Sequence, residues 1–314
     1  MRSSAPSSHL EDSPHDDAGV QLTRSVQAGA RRLRGTVKTG ADFARKRQLL
    51  VFDRFLARIV SVLGDAATLK GGLVLELRIE RARTTKDINL RLVGSQEGVL
   101  AKLQEAARRD LRDFLTFEVA PDPDHPEIQN DGMLYEGLRF RAESRLAGKP
   151  FGQPFGVDVA FGDPILGEPD VVVADDVLAF AGIAPPTLRL YPIETHIAEK
   201  LHAYTMLRSR PNTRVKDLPD MALLASAQPV EAGRVRAAFE QTFSFRRTHG
   251  LPGKLPTPTP AWAKPYAAMA REDQLAWPTL ADVTAAARAF LDPVLAGEET
   301  AASWNPKTWT WERR

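Results

Sequence analysis

The sequence predicts an α+β protein: a mixed sheet with flanking helices, followed by a mainly helical region. Three observations carry this. Leu69-Lys70-Gly71-Gly72 joins a short strand to a helix, and a second strand opens at Asp87. Apolar residues alternate with polar ones through Leu138-Phe140-Ala142 and Phe155–Phe161, the period of half-buried strands. Beyond Pro192 the apolar spacing turns helical almost throughout.

Taken in order, residues 1–20 carry Ser, Pro, His and Asp without periodicity and are expected to be a disordered extension. Residues 21–185 are expected to form the α/β domain with its N-terminal helices, and 186–314 a helical domain. Leu49, Phe52, Phe55, Leu56, Ile59, Val60 and Leu63 recur at helical spacing, and Gly64-Asp65 stops that helix. After the strand at Leu69, Leu73 to Arg81 is a helix and Asp87 to Val93 a strand, with Ile88, Leu90 and Leu92 on one face. Leu100, Leu103, Ala107 and Leu111 mark the next helix, and Leu115–Val119 a strand. The Pro/Asp stretch 121–131 is a loop. Helices are expected near 193–208, 217–227, 230–243 and 280–295. Residues 251–265, with five prolines, are expected to be a long exposed loop, and Trp304, Trp309 and Trp311 to pack back on the body.

Composition excludes several classes. The chain of 314 residues has no cysteine, which removes disulfides, thiolate metal sites and thiol nucleophiles. No run approaches the roughly 20 apolar residues of a membrane span, so no membrane role is expected and a cytoplasmic location is. Charge is balanced, 42 basic against 40 acidic residues. Basic residues nonetheless cluster at Arg24–Arg47, Arg208–Lys216 and Arg246–His249, and such local patches can hold a polyanion. Solvated helix faces would look the same. The sequence lacks metal-type histidine spacing, Gly-x-Ser-x-Gly and a Walker A motif.

The chemistry-bearing residues occur in a fixed order. Gly71-Gly72 entering a helix presents backbone N–H groups to an anion, although an ordinary strand-to-helix turn uses glycine for the same conformational reason. Asp87 opens the following strand, where a carboxylate can reach a magnesium ion held on phosphate oxygens. Asn89, two residues on, shares its face and offers an amide oxygen without charge. Asp158, framed by Val157 and Val159 on another strand, is the natural source of a second negative charge. On the later helix His196, Lys200 and Tyr204 align, and Lys200 can offset charge building on a triphosphate. It can equally be a snorkelling stem. Asp217-Leu218-Pro219-Asp220 suits a helix start in itself, and the preceding Arg214 and Lys216 suggest a site there.

The ordered set Leu69-Lys70-Gly71-Gly72, Arg83-Thr84-Thr85-Lys86-Asp87-Ile88-Asn89, Val157-Asp158-Val159, Ala198-Glu199-Lys200-Leu201-His202-Ala203 and Arg214-Val215-Lys216-Asp217-Leu218-Pro219-Asp220 resembles the AbiEii/AbiGii toxin family of the polymerase β-like nucleotidyltransferase superfamily. The resemblance implies a nucleotidyltransferase-type sheet and the toxin half of a toxin–antitoxin or abortive-infection pair, opposite an antitoxin with a winged-helix domain. It implies NTP as substrate, Mg2+ as cofactor and RNA, the tRNA 3′ end, as acceptor. Catalytic positions carry over onto Asp87, Lys200 and Asp217. Lys70, Gly71, Gly72, Thr85 and Lys216 are expected to bind nucleotide, and Asp87, Asn89 and Asp158 the metal. Thr85 matches a regulatory phosphorylation position. Asn89 departs from the family's Asp-x-Asp, which leaves one-metal catalysis or a weakened enzyme open. Two other readings stand beside this one: transfer to a small molecule or protein hydroxyl, and a catalytically impaired module that binds RNA or a partner.

Overall fold

The computed structural model describes residues 40–79, 85–128, 137–207, 212, 214–298 and 301–313. The extension 1–20, the basic residues Arg24–Lys38, and Arg83, Thr84, Arg208 and Arg210 lie outside the described residues.

The apolar stripe read from the sequence becomes α1 (Gly40–Leu63), whose Val51, Phe52, Phe55, Leu56 and Ile59 are buried. Two arginines share that buried side. Arg54 and Arg58 hold Asp113 at 2.9, 2.8 and 2.6 Å, so the carboxylate is paired despite complete burial. After a 3₁₀ turn come β1 (Ala67–Lys70), α2 (Gly72–Arg78), β2 (Asp87–Leu92), α3 (Val99–Ala107), β3 (Leu115–Pro121), β4 (Glu127–Ile128), β5 (Gly137–Leu146), β6 (Lys149–Pro150) and β7 (Phe155–Phe161). Then follow β8 (Asp170–Val173) and β9 (Thr187–Leu190).

These strands form one nine-stranded mixed sheet, ordered β3-β5-β7-β2-β1-β9-β8, with β4 and β6 paired to β5. The fold is α+β, a mixed sheet with flanking helices. The parallel pairs β2–β7 and β1–β9 sit between antiparallel neighbours. Ile88, Leu90, Val157, Val159, Phe140 and Ala142 point to the face covered by α1 and α3, in a core where Phe52, Phe55 and Phe155 meet edge to face. The opposite face carries the polar residues of the same strands.

Five helices follow: α4 (Ile193–Thr205), α5 (Asp217–Ala227), α6 (Ala232–Arg246), α7 (Ala263–Glu272) and α8 (Leu280–Ala296). A capping box between Thr279 and Asp282 starts α8. The tail is a hairpin, β10 (Ala302–Asn305) with β11 (Thr310–Arg313). It closes the helical core as expected for the tryptophans: Trp304, 1% exposed, donates to the Ala225 carbonyl, and Trp311 to that of Phe290.

Three departures from the sequence reading have clear causes. Strand β9 lies beyond Pro185-Pro186 yet pairs with β1, so the sheet continues past residue 185. Its four residues are too short for a periodic signal. The stretch 251–265 is not simply exposed: Leu255 and Trp262 are buried, the Leu255 N–H bonds to Asp292, and α7 begins at Ala263. Prolines there mark local backbone, not solvent. Finally, Arg246 of the third basic stretch faces inward, 9% exposed, between Glu199 and Asp163.

Candidate active site

Sheet register assembles the site. Lys70 of β1 pairs with Asn89 of β2, Asn89 with Asp158 of β7, and Asp158 with Arg139 of β5. Directly paired residues share a face, so Lys70, Asn89, Asp158 and Arg139 form one polar rung across four strands. Each is half-buried. Asp87 lies two residues before Asn89, on the same face, and pairs with Gly156.

Two glycines make room for this arrangement. A Cβ on Gly156 would stand 2.7 Å from Asp87 Oδ1; instead the Gly156 N–H donates to that oxygen at 3.2 Å. A Cβ on Gly71 would stand 2.8 Å from the Asn89 amide, and Gly71 has φ +71°, a conformation that suits glycine. Thus Gly71 and Gly156 shape the space around Asn89 and Asp87. Gly72, buried, opens α2, which is only seven residues long.

The electrostatics agree with this placement. Asp87 opens to solvent on one side, but the protein around it displaces water and raises its carboxyl above the usual range; the negative charge of Asp158 pushes the same way. The Gly156 N–H, Arg139 and Lys216 work against the rise. Asp87 and Asp158 therefore feel each other, and the charge of Lys216, exposed before α5, reaches Asp87. Both oxygens of Asp158 are taken by Arg139, at 2.7 and 2.9 Å. That fork raises the guanidinium's own pKa.

Lys70 and Lys200 are held differently. Lys70 leaves the rung to pair with Asp163 and, at 3.0 Å, with Glu199 of α4, over the Tyr191 ring. Lys200, one residue along α4, donates to Asp220 at 2.6 Å and Asp217 at 3.3 Å. Asp217 also receives a two-pronged contact from Arg214. Thr85 is 9% exposed; its N–H meets Glu76 and its hydroxyl donates to the Asp87 carbonyl at 3.3 Å.

The structure thus brings Asp87, Asn89, Asp158 and Gly71 together, with Lys216 within electrostatic reach of Asp87 and Lys70 on the same rung but turned toward α4. Lys200 and Asp217 form a separate, more buried charge cluster. Sequence reading missed Arg139, whose only signal was its place in an alternating strand. By its spacing Asp220 reads as a helix-start acid, whereas it makes the shorter of these two Lys200 contacts.

Among the described residues no three His, Cys, Asp or Glu side chains gather as a metal cluster. The donors that do gather, two carboxylates and one amide oxygen, are hard oxygen ligands of the kind magnesium takes. The missing Cβ of Gly156 leaves Asp87 its place among them. This set fits one divalent cation.

The family model for the nucleotidyl transferase AbiEii toxin, of type IV toxin–antitoxin systems, matches residues 54–312. The chain belongs to this family. Membership makes it a nucleotidyltransferase toxin, and it implies an NTP substrate and an antitoxin counterpart. No curated protein sequence matches the chain. Among solved structures it is similar to MenT4, a nucleotidyltransferase toxin from Mycobacterium tuberculosis H37Rv, at 15% identity and TM-score 0.52, over 93% of this chain and 92% of that one. A putative nucleotidyltransferase from H. pylori aligns at 13% identity and TM-score 0.45, over 80% and 95%. At such identity the MenT4 likeness speaks for the fold. No described helix of this AbiEii-family chain is long and apolar enough to cross a membrane.

Proposed function

We propose that this toxin is a magnesium-dependent, cytoplasmic nucleotidyltransferase that moves NMP from an NTP to the 3′ end of tRNA. The observation that carries the reading is the polar rung. Asp158 and Asn89 stand side by side, with Asp87 two residues away on the same face and Lys216 within its electrostatic reach.

In this reading Asp87 and Asp158, with the Asn89 amide, would hold magnesium. Magnesium supplies, when bound, charge withdrawal from the α-phosphate and a lower pKa for the attacking hydroxyl. Backbone N–H groups at Gly71 and Gly72 would receive phosphate oxygens. Lys216, exposed beside Asp87, would bind the triphosphate, with Thr85 shaping the start of β2. Lys70 would hold the floor of the nucleotide site in place through Asp163 and Glu199. Lys200 would be kept by Asp217 and Asp220 in one orientation, as a fixed positive charge facing the developing phosphate charge. The acceptor oxygen attacks the α-phosphorus in line, the bond to the β-phosphate oxygen breaks, and pyrophosphate leaves.

Exposed Lys216, whose charge reaches Asp87, supports a polyanionic acceptor, and half-exposed Arg214, two residues before it, adds to the local positive charge. A phosphate on Thr85 would add about two negative charges next to Asp87 and repel metal and substrate. The proposed antitoxin is a winged-helix protein encoded beside the toxin.

Incubation with total tRNA, magnesium and each labelled NTP tests the reading. Label at tRNA 3′ ends with wild type and none with Asp87→Ala is expected. Label on protein or on a small molecule would move the acceptor there. No label anywhere, with Asp87→Ala as toxic as wild type, would sink the proposal.

A further inference from the structure

We propose that Arg139 takes the place of a second cation, so that the site binds one divalent ion per chain. This rests on the nucleotidyl-transfer reading above and deepens it.

The argument begins with charge. An acid at position 89 would put three carboxylates on this face, enough to attract two divalent ions. Asn89 removes one charge. The guanidinium of Arg139 removes the effect of another, because it lies on both oxygens of Asp158 at 2.7 and 2.9 Å. Asp87, Asp158 and Arg139 together carry one negative charge. One divalent ion is welcome there; a second would face an Arg fork and an uncharged amide.

Arg139 is also built in. Its N–H donates to the Pro126 carbonyl at 2.8 Å, and its carbonyl accepts from the Asp122 N–H at 3.0 Å, so the residue is fixed from both neighbouring segments. Its side chain and that of Asp158 are 36% and 20% exposed. Exposed single-contact ion pairs contribute little, but a two-pronged, half-buried pair fixed by sheet register holds its geometry. Besides Asp158, the negative charges of Asp122 and Asp87 act on it. A cation held by one carboxylate and attracted by two more is in the electrostatic position of a metal ion. Each Asp158 oxygen keeps a lone pair beyond the fork, so Asp158 still joins Asp87 and Asn89 as a donor. Arg139 is thus a positioning residue, acting through Asp158.

The test counts Mn2+ bound to the nucleotide-free protein, reading free Mn2+ by electron paramagnetic resonance. Wild type is expected to bind one ion per chain, and Asp87→Ala none. Arg139→Ala should bind its ion on the order of tenfold tighter, since a like charge has gone. Arg139→Lys keeps the charge but not the fork, and its affinity should stay nearer wild type than that of Arg139→Ala, an outcome a purely structural role does not predict. Asn89→Asp combined with Arg139→Ala should bind two. Two ions in wild type, or no change of affinity in Arg139→Ala, overturns the inference and leaves the proposed reaction standing. No Mn2+ on wild type at millimolar concentration overturns both.

Discussion

Asp87 rests its carboxylate on the backbone N–H of Gly156, in the space where any side chain at position 156 would begin. The strand pairing that makes them neighbours joins segments nearly seventy residues apart, so the placement of the candidate acid depends on a glycine that carries no chemistry. Gly156→Ala puts a methyl 2.7 Å from Asp87 Oδ1, which forces the carboxylate to move. We expect transfer activity to fall on the order of a hundredfold, the scale of a 1 Å misplacement, while the thermal midpoint moves little. Equal activity in steady-state assays would contradict the assigned role of Asp87.

The raised carboxyl of Asp87 has a signed consequence. Its folded pKa lies above the unfolded value, so protonation as pH falls through that pKa favours the native state, whereas a bound cation needs the ionised form. Stabilisation by Mg2+, read as a thermal shift, should be full at pH 8. It should begin to fade above the ordinary carboxylate range as pH falls. Asp87→Asn, which lacks that charge, should show little Mg2+ stabilisation at either end of that pH range.

Asp53 on α1 provides a second titration, away from the site. Burial raises its carboxyl from 3.8 to about 6, against the attraction of Arg54 and with help from Asp113 and Asp175. Its stability contribution is complete below the unfolded pKa and is lost as pH rises through about 6. Asp53→Asn should therefore gain on the order of 2 kcal/mol over wild type at pH 8 and close to nothing at pH 3. Urea denaturation at the two pH values measures this.

Lys200 and Lys216 should separate by stability. Lys200 faces Asp217 and Asp220, which are 2% and 0% exposed, so Lys200→Met removes the cation that offsets buried acids. A loss of about 3 kcal/mol in denaturant titration is expected. Lys216 is exposed. Lys216→Met should stay within about 0.5 kcal/mol of wild type and raise the KM for NTP. If both variants lost stability equally, Lys216 would belong to the same buried cluster.

Much of this was legible in the chain. Long apolar stripes such as 49–63 and clean alternation such as 155–161 announce themselves, because burial of one face imposes a period. Asp87, Asn89 and Asp158 could be singled out by their places in those strands. Arg139 could not, since an arginine in an alternating strand looks solvated until its neighbour is known. Lys70 and Lys200 illustrate the same gap: one points to Asp163 and Glu199, the other to Asp217 and Asp220. The first choice depends on how α4 sits against the sheet, the second on how α5 packs against α4. Strands β8 and β9 escaped notice because four residues contain too few periods to stand out.

The amino-acid order alone determined which of the longer segments become strand or helix and which of their side chains share a face, because those are consequences of local periodicity. Only the tertiary structure decided that Lys70, Asn89, Asp158 and Arg139 share one rung. Pairing between strands distant in sequence is set by the packing of the whole sheet against α1 and α3, and no local pattern encodes which strand lies next to which.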